Sequence, residues 1–82
     1  MTTTDTESAL RALLADRLNF RPSQLAGYAA LVEELDFDSV TYVISMAAIE
    51  QKFGISLARE NIFACRTFNE LVELVDRVRS FV

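Results

Sequence analysis

Leu35-Asp36-Phe37-Asp38-Ser39-Val40 is where a segment without steady period gives way to a run able to form a helix of about fifteen residues. Asp38 suits the N-cap position, because its carboxylate can accept from the free backbone N–H groups of the first turn. Ser39 then takes the first helical position, where a side chain points away from a bundle. Unpaired amides and the positive end of the helix dipole lie within reach there. That is a favourable place to hold a phosphate diester on a serine hydroxyl. The plainer reading is a serine that only follows an Asp cap.

Downstream, a helix is expected from Ser39 to about Lys52, stopped by Gly54 as its C′ residue. Val40, Val43, Ile44, Met46, Ala47, Ala48, Ile49 and Phe53 make it apolar on most of its circumference, as for the central helix of a bundle. Thr41, Ser45, Ala48 and Lys52 fall on one narrow stripe, read as the solvent side. Ile55-Ser56-Leu57 is extended. Glu60 to Ala64 forms one short helical turn with Ile62 and Phe63 inward. Thr67-Phe68-Asn69-Glu70 is a capping box that opens the last helix, with Leu71, Leu74, Val75 and Val78 on one face and Arg77 and Arg79 at its negative end. Phe68 is placed to pack back on that first turn.

Upstream, residues 1–4 read as a loose tail. Thr4 with Glu7 forms another capping box, with Asp5 or Thr6 as alternative caps. The first helix runs to about Leu18, with Leu10, Leu13, Leu14 and Leu18 on one face and Arg11 and Arg17 on or near the other. Phe20 is placed to fold back on its end. Arg21-Pro22 ends continuous helix, a short helical turn fits Pro22 to Leu25, and Gly27 permits a bend. The rest, to Asp38, reads as a long loop pinned by Tyr28, Leu31, Val32 and Leu35. The fold class is all-α: three main helices, one short one and a long first loop, in a single domain over 1–82.

Composition narrows the function. Eighty-two residues, half of them apolar, build one small core and no deep cavity. Eight basic against twelve acidic residues give a net charge of −4, which argues against nucleic acid and for basic protein surfaces. With no histidine there is no Ser-His-Asp arrangement, and Lys52 lies too far along the helix to serve Ser39 as base. One cysteine and two glycines leave no internal disulfide, zinc set or phosphate-cradling loop. The polar start and the lack of a long apolar run read as a cytoplasmic protein, off the membrane and monomeric when free. Cys65 reads as a small buried group, with a disulfide to a partner or an arm thiol as alternative. Tyr28 and Tyr42 read as packing residues with wet hydroxyls.

Leu31-Val32-Glu33-Glu34-Leu35-Asp36-Phe37-Asp38-Ser39-Val40, followed by Lys52-Phe53-Gly54-Ile55-Ser56-Leu57, resembles an acyl carrier protein, over roughly Leu10 to Val78. In that family an Asp-Ser-Leu motif opens the second helix. The resemblance implies that Ser39 carries 4′-phosphopantetheine from coenzyme A, with Asp38 as the cap beside it and Val40 where Leu is usual. Asp36 stands where the family commonly has Gly. The implied partners are a phosphopantetheinyl transferase and the enzymes that load, condense or transfer acyl or aminoacyl groups. The family's acidic second helix is largely missing, since no acid follows Asp38 until Glu50. Docking is therefore expected on Val40, Tyr42, Ile44 and Asp36, by a dedicated partner of a polyketide-like or other specialised pathway. Alternatively, Ile44 packs against the loop or the short helix. A long acyl chain would enter between Val43, Ala47 and the last helix. The rival reading is an unmodified interaction subunit of a larger complex; a helical DNA-binding module conflicts with the charge.

Overall fold

Leucines at helical spacing and two separate cap signals dictate helices that must share one apolar interior, and the chain builds that arrangement. The structure is a computed structural model that describes residues 3–80. Its elements are α1 (Thr3–Leu18), a 3₁₀ turn (Pro22–Gln24), α2 (Ser39–Phe53), α3 (Arg59–Phe63) and α4 (Phe68–Arg79). α1 packs on α2 and α4, and the short α3 bridges α2 and α4. The all-α bundle with three longer helices and one short one is as expected.

α1 starts earlier than its cap signal. Thr4, Asp5 and Thr6 are all helical, so the Thr4 box does not open it. The remainder of the expected tail, Met1 and Thr2, lies outside the described residues. Thr6 is buried, its hydroxyl donating to Asp76 Oδ1 at 2.8 Å and accepting from Arg79 Nη1 at 3.0 Å. This ties the first turn of α1 to the end of α4, while the Arg79 guanidinium lies 4.7 Å from the Phe53 ring of α2. Arg11 also turns inward. Its Nε donates to the Leu25 carbonyl at 3.0 Å, Nη2 donates to Glu7 at 2.6 Å, and the guanidinium lies 5.3 Å from the Phe68 ring. Asn19, at φ 64°, ends α1 in the left-handed region that Asn tolerates better than most residues.

The long loop is held by the start of α4. Asn69 N–H donates to the Gly27 carbonyl (2.8 Å), Phe68 N–H to the Ala29 carbonyl (3.0 Å), and Leu31 N–H to the Arg66 carbonyl (2.8 Å). Ala30 and Thr67 form an isolated antiparallel bridge there. This pairing turns alternate side chains inward: Leu31 is fully buried, while Val32 is 50% exposed. Tyr28 is 83% exposed, so neither it nor Val32 pins the loop as expected. Leu25, Leu31, Leu35 and Phe37 do.

α2 ends at Gly54, φ 67°, whose N–H donates to the Glu50 carbonyl at 2.9 Å. The Glu50 carboxylate accepts from Leu57 N–H at 2.8 Å, fixing the extended segment that leads to α3. Ile62 is buried, but Phe63 is 41% exposed, because consecutive residues of a helix lie about 100° apart. α4 opens on Thr67, whose Oγ1 accepts from Glu70 N–H at 3.2 Å. The Glu70 carboxylate accepts from Arg66 N–H at 2.6 Å, one residue before the position a regular capping box uses.

Tyr42 is buried, and its hydroxyl donates to the Cys65 carbonyl at 2.9 Å, so that hydroxyl is not wet. Cys65 is buried as expected. Burial, reinforced by Glu70 and opposed by Arg77, pushes its thiol up to about 11. Tyr42→Phe should leave the Cys65 carbonyl unpaired and cost about 1–3 kcal/mol, seen as a lower urea midpoint at unchanged slope. The unfolded thiol ionises first, near pH 9, and the folded one near 11. Stability should therefore fall as pH rises through that window, and Cys65→Ala should remove this part of the fall in urea titrations.

Candidate functional site

The start of α2 is built from the loop outward. Phe37 is buried just before it, stacked on Phe20 with ring centroids 6.2 Å apart and edge-on to Tyr42 at 5.1 Å. Tyr42 in turn meets Phe63 edge-on at 5.3 Å. This aromatic series joins the end of α1's connection, the loop, α2 and α3, and it fixes the backbone that enters α2. Phe20 therefore folds onto the loop's Phe37 and is not confined to the end of α1.

Asp36, one residue earlier, has φ 57°. The left-handed region explains why a glycine suits this position and why Asp, whose short side chain tolerates it, can replace one. The exchange leaves an exposed carboxylate next to the entrance of the helix.

Asp38 is the N-cap, with extended backbone. Its Oδ1 accepts from Thr41 N–H at 2.8 Å and from the Thr41 hydroxyl at 2.9 Å. The Thr41 amide, then its hydroxyl, and more weakly the Asp38 and Val40 amides hold this carboxyl below its usual range. Asp38 is thus ionised and takes the Thr41 amide, one of the first-turn donors that the sequence offered to a phosphate. Ser39 is exposed at the first position of a fifteen-residue helix. A hydroxyl projecting into solvent beside a capped, rigid helix end fits a bulky covalent group without rearranging the core.

The face that follows differs from the expected one. Ser45 and Ala48 are buried, so the stripe with Thr41 and Lys52 is not the solvent side. Ser45 Oγ has no hydrogen-bond partner among the described residues. The outward face carries Val40 (64% exposed), Val43, Ile44 (45% exposed) and Ala47. Spacings of three, four and seven mark these four as a continuous stripe; the pattern is visible in sequence but indistinguishable from a core stripe. Ile44 leaves nearly half of its surface open on this face. Val43 and Ala47 face outward and line no interior passage toward α4, contrary to the expected acyl entry. Tyr42, expected on a docking face, belongs to the core. Of the sequence-selected residues, Asp36, Asp38, Ser39, Val40 and Ile44 gather at the exposed end of α2.

Among the described residues no group of His, Cys, Asp and Glu is placed to hold a metal ion, and no helix is long and apolar enough to cross a membrane.

Comparison with known proteins gives a consistent picture. The family described as "Phosphopantetheine attachment site" matches residues 8–75. The acyl carrier protein MbtL of Mycobacterium tuberculosis (strain ATCC 25618 / H37Rv) is 34% identical over 64 residues, covering 78% of this chain and 76% of the relative. MbtL of Mycolicibacterium paratuberculosis is 36% identical over 62 residues, covering 76% and 70%. An acyl carrier protein of Thermosynechococcus vestitus is 25% identical over 67 residues, covering 82% and 83%. This chain belongs to the acyl carrier proteins, non-enzymatic carriers built around a phosphopantetheine attachment site.

Proposed function

We propose that Ser39 is the residue that carries 4′-phosphopantetheine, and that the chain presents an acyl or aminoacyl group to the enzymes of a specialised pathway. The observation that carries this reading is the exposed Ser39 hydroxyl at the first position of α2, beside the Asp38 cap. When attached, the arm supplies a terminal thiol that holds the acyl group as a thioester and raises its local concentration at a partner's active site. The chain's residues do the rest. Asp38 caps the helix end, Phe37 anchors the entering loop, and two acidic side chains, Asp36 and Asp38, stand beside Ser39. No side chain near Ser39 is a base matched to neutral pH, so loading falls to a separate phosphopantetheinyl transferase acting in the cytoplasm.

Partner choice follows from the outward face of α2. Val40, Val43, Ile44 and Ala47 form an apolar stripe free of acids, so a partner recognises it by burial and not by charge pairing. Asp36 supplies a polar point at its rim. Such a stripe fits a dedicated partner, and this supports a polyketide-like or other secondary pathway over general fatty-acid synthesis.

Incubation with coenzyme A, magnesium and a broad-specificity transferase should add about 340 Da, read by intact mass, and Ser39→Ala should abolish the gain. A wild-type chain that keeps its mass would instead be an unmodified interaction subunit. Ile44→Asp should keep the fold and the mass gain. It should raise the KM of the chain's own loading enzyme about tenfold, equivalent to about 1.4 kcal/mol, whereas Ser56→Asp, the same charge off the stripe, should leave that KM unchanged.

A further inference from the structure

We infer that Thr41 is a positioning residue for the transfer of phosphopantetheine: its hydroxyl holds the Asp38 carboxylate on the far side of the helix mouth from Ser39. The inference rests on Ser39 being the modified residue.

The observation is a pair of hydrogen bonds that end on one atom. Asp38 Oδ1 accepts from the Thr41 N–H at 2.8 Å and from the Thr41 hydroxyl at 2.9 Å. The first of these is ordinary capping. An N-cap side chain accepts from either the second or the third amide of its helix, which here belong to Val40 and Thr41. The alternative is within reach, since the Val40 amide also steadies the carboxylate, least of its neighbours. The Thr41 hydroxyl decides between them, because only a carboxylate turned toward Thr41 receives both donors.

The direction matters because a helix turns about 100° per residue, which puts Thr41 about 200° round from Ser39 and Val40 only about 100°. A carboxylate held at Thr41 is drawn away from the Ser39 side, and one turned to Val40 swings toward it. The other capped helix is built the opposite way. α4 has a hydroxyl at its cap, Thr67, and a carboxylate at the third position, Glu70, which reaches back to Arg66 N–H. α2 has the acid at its cap and the hydroxyl at the third position, and no acid in its first turn. It thus forgoes the favourable interaction of such an acid with the helix dipole.

The transfer is sensitive to where that charge lies. The Ser39 oxygen forms a bond to the coenzyme A phosphorus that bears pantetheine, and the bond from this phosphorus to the bridging oxygen breaks. Adenosine 3′,5′-bisphosphate leaves with the electron pair, and the serine proton passes to a base of the transferase. The incoming diphosphate is an anion, so an ionised carboxylate swung toward Ser39 opposes its approach.

The test uses the full chain with coenzyme A, magnesium and a broad-specificity transferase, followed by intact mass over time. Thr41→Val keeps the branched shape and the amide and removes only the hydroxyl. It should lower kcat for the transfer about fivefold, the size of one net hydrogen bond. KM for the carrier should stay unchanged, because half-buried Thr41 lies off the outward stripe. Thr41→Ser returns the hydroxyl and should restore kcat. In the labelled chain before loading, three-bond couplings at Asp38 should show one χ1 rotamer for wild type and Thr41→Ser, and an average for Thr41→Val. Equal kcat for wild type and Thr41→Val, no recovery in Thr41→Ser, or an averaged Asp38 rotamer in the wild-type chain would each overturn the positioning role and leave attachment at Ser39 intact. A wild-type chain that gains no mass would remove both.

Discussion

Three backbone hydrogen bonds between the first loop and the start of α4 hold the functional end of this protein in place. Gly27 and Ala29 give their carbonyls to Asn69 and Phe68, and Leu31 takes the carbonyl of Arg66. A loop of this length pays a large conformational entropy unless its backbone is paired and its side chains are buried. Here the pairing selects which residues enter the core: Leu31, Leu35 and Phe37 go in. Phe37 in turn fixes the approach to Asp38. Without that register the cap would still be a cap, but the helix end it makes would not have a fixed place on the bundle.

The same register explains what the sequence could and could not disclose. Local signals were legible wherever the physics is local. Asp38 and Thr67 cap their helices, Gly54 stops α2 in the left-handed region, and Leu10, Leu14, Leu71 and Val75 lie in the core at helical spacing. Contacts between distant segments were not legible. Thr6 resembled a cap and is a buried tie to Asp76 and Arg79, seventy or more positions away. Arg11 resembled a surface residue and reaches into the Leu25–Phe68 region. Asn19 carried a weak signal of its own, because Asn is the residue after Gly that best accepts positive φ.

The largest misreading concerned α2, and its cause is instructive. Polarity placed Thr41, Ser45, Ala48 and Lys52 on the solvent side, since a helix normally exposes its polar stripe. Ser45 and Ala48 are instead inside, and an unbroken row from Val40 to Ala47 faces out. Burying Ser45 without a hydrogen-bond partner and leaving large apolar area in water both cost free energy, so folding alone does not favour this orientation. The geometry of α1, α3 and the loop around Tyr42 and Ile49 imposes it. An apolar face kept outward against its own preference is the kind of surface that interaction sites use.

Ser39 sits between two surfaces of different make. On one side run Val40, Ile44 and Ala47, open and apolar; on the other lies Tyr42, with the cleft to Val32 and Phe63. At 100° per residue these directions diverge around the helix, so covering one does not cover the other. A partner seated on the stripe therefore leaves the cleft mouth free. The entrance to α2 is held by the Asp38 cap, by Phe37 against Tyr42 and by the Tyr42–Cys65 hydrogen bond.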